Sequence, residues 1–145
     1  MWQKENDWFW EGNIQDKISA HLQKQDFTVK TADTRKKTTG ADIIGTKSNA
    51  GIIVEVEGWP SDKYAGGIKQ GQPKPSRPAF QAKHWLSEIF PAIVRRKLKY
   101  PNHVPAIGLP EHKRYLDLLN EIRWATEKLG IKAFIAKENG QVVEK

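Results

Sequence analysis

The chain has 145 residues, 38% hydrophobic and 28% charged, with no cysteine and a net charge of +7. That balance excludes a disordered chain, and the missing cysteines exclude disulfides and thiolate metal sites. The length suits a single domain over residues 1–145, and the excess of Lys and Arg favours a polyanionic partner.

At the start, residues 1–7 lack the apolar core of a signal peptide. No run anywhere reaches the roughly 18 apolar residues of a membrane span. With the absent cysteines, this points to the cytoplasm and away from membranes. Asn6 or Asp7 can cap a first helix running to about Gln25, with Trp10, Ile14, Ile18, His21 and Leu22 as its buried stripe. Glu11 falls at the border of that stripe, and Trp8 and Phe9 add an aromatic cluster read as core or dimer contact. Residues 27–31 alternate apolar and polar as a half-buried strand. A polar turn follows, carrying Arg35, Lys36 and Lys37. Residues 41–45 form the next strand, with Asp42 at its beginning, and Ser48-Asn49-Ala50-Gly51 is a hairpin connection.

The third strand, residues 51–58, organises the rest. Alternation puts Ile52, Val54 and Val56 on one face, and Ile53, Glu55 and Glu57 on the other. Two carboxylates roughly 6–7 Å apart along one face raise at least one pKa when buried, unless a cation or donor compensates. A divalent metal is one answer; an edge strand with its acidic face in water is the other. An antiparallel hairpin would bring Asp42 beside Glu55.

Residues 58–78 have no periodicity and are rich in Gly, Pro and Lys, a long loop of the kind that is functional or mobile. A helix over 79–99 buries Ala82, Trp85, Leu86, Ile89, Phe90, Ile93 and Val94, with Pro91 expected to kink or divide it. Gln81 and Lys83 lie in its first turn, and Arg95, Arg96 and Lys97 near its end. A short strand over 104–109 follows, limited in pairing by Pro105. A last long helix ends at Gly130, a final strand covers 131–136, and a turn at Asn139-Gly140 leads to Val142-Val143. His84 and His112 are read as surface residues. The fold class is α/β, with a mixed central sheet flanked by helices in the order α-β-β-β-α-β-α-β.

That order, with Asp42 and then Glu55-Val56-Glu57 on the third strand, resembles the PD-(D/E)xK nuclease superfamily and its restriction-endonuclease-like core. Asp42 and Glu55 match its first two motif positions, in the context Gly40-Ala41-Asp42-Ile43. Glu11 is similar to the additional acidic residue of many members, and Gln81, with Ala82 and Trp85, to a glutamine-bearing helix start. The chain departs from the pattern at Glu57, where the family usually has Lys; Lys83, Lys69 or Lys63 is left to supply that charge.

The resemblance implies a Mg²⁺-dependent endonuclease that hydrolyses phosphodiester bonds in DNA, with Mn²⁺ as a substitute metal. Asp42 and Glu55 would be direct ligands, Glu57 a ligand or a base orienting the water, and Glu11 would act from a second shell or on a second ion. Gln81 and Lys83 complete the candidate catalytic set. Arg35, Lys36, Lys37, Lys63, Lys69, Lys74 and Arg77 would hold backbone phosphates, which gives affinity without sequence preference. A double-strand cut would be easiest for a symmetric homodimer. The alternatives are a catalytically inactive module of the same fold that binds nucleic acid or a partner, and one subunit of a larger nuclease.

Overall fold

The computed structural model describes residues 3–33, 40–64, 66–75 and 77–145. β1 (Thr28–Thr31), β2 (Ile43–Lys47) and β3 (Ala50–Val56) form the antiparallel meander expected from the hairpin connection. β4 (His103–Pro110) and β5 (Lys132–Ala136) join parallel to β3, and β6 (Val142–Glu144) closes the far edge antiparallel. The order is β1-β2-β3-β4-β5-β6, one mixed sheet of six strands.

α2 (Pro78–Lys99) connects β3 to β4, while α3 (Lys113–Glu121) and α4 (Arg123–Leu129) connect β4 to β5. Both crossovers step the same way along the sheet, so their shared handedness puts these connections on one face. α1 (Glu11–Lys24) covers the other. The side chains of β3 divide accordingly. Ile52, Val54 and Val56 pack with Ile14, Ile18 and Leu22 of α1. Ile53 packs with Ala82, Leu86, Ile89 and Ile93 of α2 and Tyr115 and Leu118 of α3. Gly108 lets α1 approach closely, because a Cβ there would collide with the Ile18 side chain.

Several elements differ from the pattern read in the sequence. α1 begins at Glu11, after a single 3₁₀ turn over Lys4–Asn6. Neither Asn6 nor Asp7 caps it; Asn13 reaches back instead, donating to the Glu5 and Asp7 carbonyls at 3.0 and 2.7 Å. The last helix is divided at Ile122, whose N–H bonds to the Leu119 carbonyl in a tightened turn while its side chain packs on the core. α2 runs unbroken through Pro91, and Pro105 sits inside β4 opposite Ile53. Val94 is exposed rather than buried. The turn at Asn139-Gly140 does lead into a sixth strand, with Gly140 at φ +91°. Among the described residues no helix is long and apolar enough to cross a membrane.

Candidate functional site

Register explains how the acidic residues meet. β2 and β3 pair Ile43 with Val54, which places Asp42, one residue before β2, beside Glu55. The Val56 N–H donates to Asp42 Oδ2 at 2.7 Å and anchors that carboxyl at the strand end. Asp42 and Glu55 are close enough to hydrogen-bond through a shared proton. Glu57 follows two residues on, its N–H held by the Gly108 carbonyl at 3.0 Å.

Glu11 arrives from the opposite layer. The start of α1 crosses the end of β3 directly over Gly58, where Trp59 N–H donates to the Phe9 carbonyl at 3.0 Å. A Cβ on Gly58 would lie 2.5 Å from that oxygen and 2.6 Å from the Glu11 nitrogen, so only glycine permits the crossing. Tyr115, fully buried on α3, donates its hydroxyl to the Gly58 carbonyl at 2.7 Å and fixes the same point from the other side.

The electrostatics follow from burial of like charges. Burial pushes Glu57 up to about 9, with the charges of Glu11, Asp42, Glu88 and Glu55 adding to the effect. Burial likewise lifts Glu11 to about 7, reinforced by Asp42 and Glu55 and opposed by Lys4. Asp42 is raised by burial against the Val56 N–H, the bond to Glu55 and the charge of Arg96. Glu55 rises to about 7, burial outweighing its bond to Arg96 while Asp42 adds to the rise. The Arg96 Nε–Glu55 Oε1 distance of 2.8 Å by itself describes an ionised carboxylate. The two views agree if the Asp42–Glu55 pair, taken together, holds a proton more tightly than two separate carboxyls would. Tyr115 is raised by burial, then by Glu57 and Glu11.

Arg96 is the cation bonded to Glu55. Besides Glu55 it donates to the Gly40 carbonyl at 3.1 Å, tying α2 to the segment before β2. Its position continues the buried stripe Leu86, Ile89, Ile93 at helical spacing, the signal that could have singled it out. None of the lysines considered for that charge touches Glu55 or Glu57 by an observed bond. Lys83 is exposed and borders the groove between α2 and α3, beside Leu118 and Glu121. Lys63 and Lys69 are exposed in the segment after β3, Lys69 lying over the Tyr64 ring. Lys74 comes closer: it borders a pocket of about 190 Å³ with Glu11, Gly58 and Trp85, and reaches Gln81 Oε1 at 3.4 Å. Gln81 thus sits behind the pocket, one residue removed from Glu11. Arg77 is exposed just before α2. Arg35, Lys36 and Lys37 lie outside the described residues.

The segment following β3 is less irregular than its composition suggests. Lys63 bridges to Pro73, Tyr64 and Gln72 exchange a backbone bond, and Lys74 N–H bonds to the Asp62 carbonyl at 2.8 Å. His112 is not a simple surface residue either. It is half-buried, caps α3 by accepting from the Arg114 N–H at 3.4 Å, and stacks on Trp59.

The donor set fits a hard divalent cation: buried, mutually repelling carboxyl oxygens, two of them in contact. Among the described residues, no three acidic or imidazole side chains stand close enough together to enclose one ion. Asp42 and Glu55 are the pair in contact, with Glu57 and Glu11 coupled to it by charge. Compared with known proteins, the chain matches no family model, no curated protein and no solved structure.

Proposed function

We propose that the chain is a metal-dependent nuclease with a restriction-endonuclease-like core, acting on DNA. The observation that carries this reading is the convergence of Asp42, Glu55, Glu57 and Glu11 from two layers of the fold on one end of β3, inside a protein of net charge +7. Burying like charges together works against stability, and such clusters concentrate at functional sites.

Asp42 and Glu55 would hold Mg²⁺ or Mn²⁺, which supplies Lewis-acid neutralisation of the phosphate and a more acidic attacking water. Glu11 borders the pocket and is raised to about 7, so its carboxylate oxygen is suited to take the proton from an attacking water as the new P–O bond forms and the opposite P–O ester bond breaks, the leaving oxygen taking its proton from solvent. Arg96 supports charge at Glu55 in place of the lysine that Glu57 displaces. Lys74 offers a cation on the wall facing Glu11, and the exposed Lys63, Lys69 and Arg77 would hold flanking phosphates. Two copies related by a twofold axis would suit a cut on both strands.

The Arg96–Glu55 ion pair also favours a second reading, a non-catalytic module in which this arginine has replaced the metal. Incubation with plasmid, single-stranded and branched DNA in Mg²⁺, Mn²⁺ or EDTA separates the two, beside calorimetric Mn²⁺ titration. The nuclease reading expects metal binding and EDTA-sensitive cleavage, both lost in Asp42→Ala. A folded wild-type protein that binds no divalent ion and cuts nothing would leave the module.

A further inference from the structure

The end of β3 holds a second cavity beside the one that Glu11 borders. Its volume is about 590 Å³, well within the roughly 300–1,000 Å³ of sites for small organic groups. The two are contiguous, sharing Asp7, Phe9, Trp59 and Ser61. The wall of the second cavity is made of flat rings. Trp8 and Phe9 meet edge to face with centroids 5.9 Å apart. Trp59 lies on His112 at 3.3 Å and 12°, and stands at 89° to Tyr115 with centroids 5.4 Å apart. Pro60 and Pro78 fill the rest of the apolar lining.

Three features narrow the occupant. Trp8, Phe9, Trp59 and His112 are all only half-buried, so they retain surface to offer. Burial holds His112 below its ordinary value, which keeps its ring uncharged near neutral pH. Asp62, exposed at the same cavity, would repel a phosphate but could accept from the N–H edge of a base. Lys63, at the same cavity, can serve the backbone that carries such a base.

We propose that this aromatic cavity seats one unpaired nucleobase of the strand whose phosphate lies at Glu11, Asp42 and Glu55. The substrate is then a single strand, or a duplex with an extrahelical base next to the cleaved bond. The inference rests on the nuclease reading of the carboxylate site, and the test keeps the two apart.

The wild-type chain is titrated with a fluorescent single strand in which one abasic residue is walked along the sequence. Ca²⁺ is used for binding, and Mn²⁺ to map the cut. Loss of the base at one position, fixed relative to the cut, should weaken binding about 5- to 150-fold, the equivalent of about 1–3 kcal/mol of stacking. The other positions should change little. A duplex with a bulged base at that position should bind better than the fully paired duplex, and Trp8→Leu should flatten the scan. A flat abasic scan in a protein that still binds and cuts overturns the base pocket and leaves the nuclease standing. Failure to bind any of these strands overturns both.

Discussion

The two faces of β3 differ in kind. On the α1 side Ile52, Val54 and Val56 make a dry layer with Ile14, Ile18 and Leu22, each 4% exposed or less. On the α2 side the same strand begins with Ile53 and then places Glu55 and Glu57 under cover, where burial works against their charge. One backbone and one set of ladder bonds serve both faces, so the difference lies in side chains alone. The first face is what stability asks for; the second departs from it for a stretch of three residues, and that departure marks the site.

The sharpest way to break this contrast is Glu55→Ala. It should reduce cleavage by about 10²–10³ or more and abolish Mn²⁺ binding in calorimetry, while circular dichroism shows a folded chain, with Arg96 still held by the Gly40 carbonyl. Retained turnover would place the chemistry elsewhere. Ile52→Ala tests the opposite face. It should cost about 2–5 kcal/mol in denaturant unfolding and leave metal affinity unchanged; an effect on metal affinity without loss of stability would refute the division of roles.

Glu57→Gln tests the same face through its pH dependence. The folded value of Glu57, about 9, stands above its ordinary 4.5, so the folded state binds the extra proton between those limits. Stability is therefore full below about pH 4.5 and falls as pH rises towards 9, each unit of the rise being worth about 1.4 kcal/mol at most. Glu11 and Glu55 act in the same direction between about 4.5 and 7. Thermal melts in EDTA should show this decline for wild type and a shallower one for Glu57→Gln. Mn²⁺ should flatten the wild-type curve. A pH-independent melt would mean the carboxylates are solvated after all.

What could be read in the sequence was local. Alternation along residues 51–58 separates the two faces, and a short connection between two strands implies that Asp42 meets Glu55. Glu11 could be found because a helix border is also a local pattern. Arg96 could not be paired with Glu55, because 41 residues and the packing of α2 on the sheet intervene. Tyr115 could not be singled out, since nothing in its neighbours announces that its hydroxyl meets Gly58. His112 looked like a surface residue because its stacking partner Trp59 lies on another element. The start of α1 was misplaced because its first turn is held by Asn13 from inside the helix, not by a side chain at the expected cap.

The central position of β3 has a consequence for motion. It is paired with β2 over residues 50–54 and with β4 over residues 51–56. Where both ladders hold it, its amides can exchange with solvent only when the sheet itself opens, which in a single core approaches global unfolding. Glu55 follows directly, held in register with Ile107 of β4, and Asp42 stays beside it through its bond to Val56. Glu11 is attached differently, through the Trp59–Phe9 backbone bond and the contact over Gly58. Glu11 begins α1, whose Ile14, Ile18 and Leu22 are buried against the sheet, so its hold on the site depends on the docking of that helix rather than on the ladder of β3.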